Sequence, residues 1–137
     1  PHNVYGPDMG NEHVIPELIR KIQKNTKIIN IQGSGKDTRS FIFIDDFKQA
    51  FKCILKKGKN NEIYNIGTNQ EIKINTLVKN ISKYIRKKID IALSKKLDGS
   101  VQRRNPDIKK LMKLGFKPEF NIEQGLAKTI DWYLKNN

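Results

Sequence analysis

Cysteine is almost missing from this sequence. Cys53 is the single one in 137 residues, which excludes an internal disulfide and any cysteine-rich metal site. It lies in QAFKCILKK, where core packing is its expected role, and its isolation suits a reducing, cytoplasmic compartment. Histidine is as scarce: His2 and His13 have no cluster of carboxylates around them, so no metal site is expected. No apolar run approaches the roughly 18 residues of a membrane span, and no signal peptide is visible. The chain opens on PHNVYGP without a methionine, as if cut from something longer. Acidic residues are few, 14 against 27 Lys and Arg, and the net charge of +13 favours polyanions or phosphorylated small molecules as partners. The lysines are dispersed along the chain and form no dense block, as on a solvated surface. With no helix-turn-helix, zinc-finger or RNP pattern either, a basic nucleic-acid-binding module is the weakest reading that the composition allows. Low-complexity tracts and internal repeats are absent too.

What is present alternates between strand and helix. Residues 1–5 read as the end of a strand stopped by YGP. NEHVIPELIRKIQK places Val14, Leu18 and Ile22 on one helical face, with Pro16 tolerable near the first turn. KIINI reads as a strand, QGSGKD as a turn, and SFIFI as a near-continuous buried strand. Asp45 is expected to cap the helix DFKQAFKCILKK, whose apolar face is Phe47, Ala50, Phe51 and Ile54. A buried strand is expected at Ile63–Ile66. An amphipathic helix follows in KINTLVKNISKYIRKK, with Asn75 as its cap, then a strand in IDIAL and a break at DGS. NPDIKKLMKLGF predicts a short helix opening at Pro106 and stopping at Gly115, and NIEQGLAKTIDWYLKN a last one. The fold class is α/β.

Arg39 stands at the mouth of the SFIFI run, where a charge is costly unless an anion compensates it. Asn3, after a strand and before a Gly-Pro turn, can donate an amide to a phosphate oxygen. Arg104, beside Arg103 in VQRRNPDI, precedes a helix start. Arginine suits phosphate because its planar fork makes two parallel charge-assisted bonds, and the start of the NEHVIPEL helix adds free N–H groups. Each also has a plainer reading: Arg39 holding a loop carbonyl, Arg104 a surface ion pair, Asn3 a turn residue.

Five separated stretches, HNVYGPDMGNEHVIP, GSGKDTRSFIFIDDFKQA, IYNIGTNQEIKINTLVKNI, VQRRNPDIKKLMKLGFKPE and GLAKTIDWY, occur in an order that resembles the extended short-chain dehydrogenase/reductases. These are the NAD-dependent nucleotide-sugar epimerases and dehydratases, among them UDP-galactose 4-epimerases, UDP-glucuronate decarboxylases, dTDP-glucose 4,6-dehydratases and GDP-mannose 3,5-epimerases. The resemblance implies that Asn3, His13 and Val14 contact the diphosphate of a nucleotide sugar. It implies further that Asn30, Ile31 and Gln32 read the base by their backbone, that Arg39 and Arg104 grip the phosphates, and that Asp107 contacts the ribose. Gln32 stands where the family often has an aromatic residue, and the DMGNEHVIP loop lacks the lysine of the GDP-mannose epimerases.

The family oxidises a sugar carbon transiently with bound NAD, and epimerisation, elimination or decarboxylation follows through a keto sugar. Its base is a tyrosine followed four residues on by a lysine, and its dinucleotide loop is glycine-rich. Neither is found here: GSGKD opens no helix, and Tyr84 and Lys88, though correctly spaced, fall in a surface helix. The resemblance therefore implies that residues 1–137 are one partial domain. It would be the C-terminal, substrate-binding lobe with the last strands of a Rossmann-type sheet, its N-terminal cofactor-binding half absent. NAD would be bound mainly by that absent half, and the chain alone would be inactive. Its expected partners are a nucleotide diphosphate sugar and an N-terminal Rossmann half or a second copy, to cover apolar surface otherwise left exposed. A truncated, non-catalytic assembly module of the same fold is the alternative.

Overall fold

The computed structural model describes residues 1–10, 12–24, 27–95 and 101–136. Its elements follow one another as β1 (Val4–Tyr5), α1 (Val14–Gln23), β2 (Ile28–Gln32), β3 (Thr38–Ser40), β4 (Ile42–Phe43), α2 (Ile44–Lys57), β5 (Glu71–Lys73), α3 (Ile74–Ile85), β6 (Asp90–Ser94), β7 (Arg103–Arg104), α4 (Lys109–Lys113) and α5 (Ile122–Asn136). The class is α/β.

The described strands form three small sheets. β1 pairs with β4 in parallel, β2 with β6 in parallel, and β3 lies between antiparallel β5 and parallel β7. The expected strand Ile63–Ile66 is irregular and is tied to the start of the chain by one backbone bond, the His2 N–H to the Ile66 carbonyl at 2.9 Å, and by the His2 ring to Asn65 Oδ1 at 3.4 Å. A ladder needs a neighbour on at least one edge, and none of the described segments supplies one there.

The long helices form where the apolar period is 3.6. α1 buries Ile15, Leu18, Ile19 and Ile22, and α3 buries Leu77, Val78 and Ile81. Together with Ile29 and Ile31 of β2 and Leu126 and Ile130 of α5 they make the main core. Each such side chain contributes about 1.5–3 kcal/mol by leaving water. Pro16 is the third residue of α1, where its missing N–H costs no helical bond. A second, smaller core joins Ile42 of β4, Ala50 of α2, and Leu111 and Phe116 around α4.

Two caps differ from expectation. The SFIFI run does not stay extended: it breaks between β3 and β4, and α2 opens at Ile44 with Phe43 at its cap position. Asp45 therefore sits inside the first turn and pairs with Lys48 at 2.7 Å. α3 likewise opens on Ile74 with Lys73, not Asn75, at its cap position. In both places a strand runs straight into a helix and leaves no spare residue to cap it. Gly115 does end α4, at φ +96°, a conformation that glycine adopts freely. The DGS break lies outside the described residues.

α5 closes over β1 at Gly125. A β-carbon there would lie 2.0 Å from Tyr5 Oη and 2.7 Å from its Cζ. Tyr5 is 2% exposed, and its hydroxyl donates to the Ile122 carbonyl at 3.4 Å. Gly125→Ala is expected to destabilise by about 1–3 kcal/mol, overpacking outweighing the gain of about 1 kcal/mol in helix propensity. A urea midpoint at or above that of the parent would refute the close approach.

Apolar side chains remain in water on and after α2: Phe51 is 49%, Leu55 71% and Ile63 82% exposed. No helix among the described residues is long and apolar enough to cross a membrane.

Candidate anion site

β3 organises the site. Side chains alternate across a strand, so Thr38 and Ser40 point to one face and Arg39 to the other. Register places Arg104 of β7 directly beside Arg39, and Arg103 beside Thr38. Two arginines thus share one face of the sheet.

The Arg39 side chain is 17% exposed. Its Nη1 donates to the carbonyls of Thr38 at 2.8 Å and Gln102 at 3.2 Å, while Nη2 stands 3.9 Å from Asp37 Oδ2. The plainer reading is thus met in part, since the guanidinium does hold loop carbonyls. Asp37 is the one carboxylate at ion-pair distance from Arg39 among the described residues. Burial first, and the neighbouring Arg104 second, draw Arg39 below its ordinary pKa, against the pull of Asp37. Arg104 is exposed, and its side chain makes no hydrogen bond or ion pair among the described residues.

Beside Arg39 opens a cleft of about 330 Å³ between α1, β2 and β3. Val14, Asn30, Ile31, Gln32 and Arg39 all line it, so the fold brings five of the expected residues together. Asn30 and Gln32 are exposed on one face of β2, and Ile31 is turned into the core. A smaller recess of about 80 Å³ shares Val14 and takes in Asn3 and His13. Asn3, at φ 41°, spends its amide on the Ser40 carbonyl at 2.8 Å. His13 is the residue before α1 and makes no capping bond. Asp107 lies elsewhere, in a recess with Asn105 and Lys109, and its Oδ1 accepts the Lys109 N–H at 2.8 Å.

Tyr84 donates to Asp131 Oδ1 at 2.9 Å, and that bond raises its pKa, the reverse of what a tyrosine base requires. Among the described residues no group of three or more His, Cys, Asp or Glu could hold a metal ion.

Glu71 carries no signal in the sequence, yet it is central to this sheet. Its carboxylate accepts Thr38 Oγ1 at 2.7 Å, Arg103 Nη2 at 2.6 Å and Nε at 3.0 Å, and Asn105 Nδ2 at 2.7 Å. The bond to Arg103, then that to Thr38, holds its pKa down to about 2. A lowered folded pKa means that this stabilisation is complete above the unfolded value and is lost as pH falls towards about 2. Glu62, also lowered through its bond to Lys110, titrates in the same direction. The Glu71→Gln variant should therefore lose less stability than the parent between about pH 4.5 and 2, Glu62 being common to both. Parallel acid-melting curves would contradict the assignment.

Similarity to known proteins decides the relationship. The model of the NAD dependent epimerase/dehydratase family matches residues 1–67. Human dTDP-D-glucose 4,6-dehydratase is 39% identical over 98% of this chain and 40% of its own length. The chain is related to NAD-dependent nucleotide-sugar dehydratases and epimerases. Among the solved structures of this group, dTDP-glucose 4,6-dehydratase from Bacillus anthracis in complex with NAD superposes with a TM-score of 0.88 at 31% identity, over 98% of this chain and 43% of that one. UDP-glucuronic acid 4-epimerase from Bacillus cereus, with UDP-4-deoxy-4-fluoro-glucuronic acid and NAD, gives 0.90 at 26% identity, over 99% of this chain and 44% of that one. The chain thus spans about two fifths of the length of these dehydratases and epimerases.

The family match corrects three expectations. It is a match to an NAD-dependent model, and it falls on residues 1–67, the N-terminal side of this chain. A C-terminal substrate-binding lobe with the cofactor-binding half absent is overturned as recognition and as fold class, and so is NAD held mainly by an absent half. β4 runs into α2, and β5 into α3, with no residue between them, whereas Gly6 and Gly10 lie between β1 and α1.

Proposed function

We propose that this chain binds a nucleotide diphosphate sugar for an NAD-dependent dehydratase or epimerase reaction that passes through a keto sugar. The observation that carries the reading is Arg39, which lines the 330 Å³ cleft with Arg104 in register beside it on β7. Arg39 and Arg104 bind the diphosphate, and the backbone of Asn30, Ile31 and Gln32 meets the base. Val14, with Asn3 and His13 in the adjoining recess, closes the far side. Asp107 is left out of this set because it lies in a separate recess. NAD supplies the hydride chemistry of such reactions; these residues bind and orient.

Calorimetric titration with UDP, dTDP and GDP, beside an Arg39→Ala variant and a DNA duplex at two salt concentrations, tests the proposal. Saturable binding of one nucleotide, lost in the variant, is the expected result. Silence towards all three overturns the proposal, and steeply salt-dependent DNA binding in its place would restore the basic-module alternative.

A further inference from the structure

β7 is a weakly specified strand. It is two residues long, both residues are exposed, and both are arginine. Burial normally fixes register, because a slip of one residue turns every side chain to the opposite face. Here neither burial nor residue type distinguishes the two positions. A one-residue slip would put Arg103 beside Arg39 and turn Arg104 to the Thr38 face.

We propose that Glu71 sets this register by capturing Arg103 and Asn105 together, which commits Arg104 to the face of Arg39. Glu71 lies on β5, directly opposite Ser40, so its side chain shares the Thr38 and Ser40 face. From there it reaches across β3 to β7. It takes the Arg103 fork through Nε and Nη2 and also takes the Asn105 amide, two residues further on and hence on the same face. Asn105 Oδ1 is buried without a partner, so the Glu71 bond is what that side chain gains in this register. A slip would bring Arg104 to the Glu71 face in place of Arg103, so an arginine pair survives it, but it would carry Asn105 to the other face and cost the Asn105 bond, which is what distinguishes the two registers. The Gln102 carbonyl accepts the Thr38 N–H at 2.9 Å and Arg39 Nη1 at 3.2 Å in this same register. Glu71 is thus a positioning residue that acts through Arg103 and Asn105.

The register itself rests on this geometry alone. Its consequence for binding rests on the proposed function, and two readouts keep them apart. The first is ligand-free: NMR of the isotopically labelled full chain, reading backbone contacts between β3 and β7. The parent should show Arg39 beside Arg104. Glu71→Ala should lose that contact or mix it with Arg39 beside Arg103, while the β2–β6 contacts persist. Where Glu71→Ala disrupts the β5–β3 pair itself, Glu71→Gln, which keeps the shape and one acceptor, gives the decision by the same mixing of registers. An unchanged register in the variant that folds overturns the proposal.

The second readout is UDP affinity. Arg104→Ala should weaken it about tenfold in the parent, with Arg103→Ala within about twofold. In the Glu71→Ala background the two substitutions should have equal effects. Additive effects that still single out Arg104 overturn the proposal. A parent chain blind to UDP, dTDP and GDP alike overturns the nucleotide reading and leaves the register to be decided by NMR.

Discussion

Asp46→Ala should lower the free energy of unfolding by about 2–5 kcal/mol, measured as a shift in urea midpoint. Asp46 is the third residue of α2 and is fully buried. Its Oδ1 accepts the Glu119 N–H at 2.9 Å and its Oδ2 the Phe120 N–H at 3.1 Å, which ties α2 to the segment entering α5. Truncation removes the acceptor of both N–H groups, one on exposed Glu119 and one on half-buried Phe120, and each bond to the carboxylate is worth about 1.5–3 kcal/mol. Asp46→Asn keeps one acceptor and should cost less. Its neighbour supplies the contrast: Asp45 makes a half-exposed pair with Lys48, and Asp45→Ala should stay within about 0.5 kcal/mol. Equal effects from Asp45→Ala and Asp46→Ala would refute the tie.

Arg39→Ala should weaken nucleoside diphosphate binding by about ten- to a hundredfold, the equivalent of about 1.5–3 kcal/mol for a charge-assisted bond. Arg39→Lys should recover little, because an ammonium keeps the charge without the planar fork. Arg39 also holds the Thr38 and Gln102 carbonyls, so both variants need a thermal melt beside the titration. A full loss of affinity with an unchanged melt assigns the effect to the anion, and unchanged affinity would leave Arg39 as a loop brace only.

The parts of the fold that were legible are those whose pattern is long enough to show a period. α1, α3 and α5 run for 10, 12 and 15 residues and display their apolar stripes, and β2 and β6 have five residues each. β3, β5 and β7 have only two or three, too few for an alternation to be visible. Ile63–Ile66 carries the composition of a strand, but composition does not supply a pairing neighbour. In the site, Arg39 stood out because a charge before an apolar run needs a reason. Glu71 did not, because its significance arises only where β5, β3 and β7 lie side by side. The Asp45 expectation missed for a related reason: which of two adjacent aspartates turns inward depends on Glu119 and Phe120, more than 70 residues away along the chain.

Tyr5 packs on Gly125 and bonds to Ile122, and Tyr133 takes the Met9 N–H at 3.2 Å across 124 positions of sequence. The main core therefore has no closed form until α5 exists. During synthesis, α1 and α3 leave the ribosome with their apolar faces lacking the helix that joins them in that core, and the first strand waits for the last helix. Such long-range closure slows folding and prolongs the time in which apolar surface is open to aggregation or to chaperones. Interrupted translation before residue 122 would yield a chain lacking α5's contribution to that core, so quality control would meet it as a client for holding or degradation.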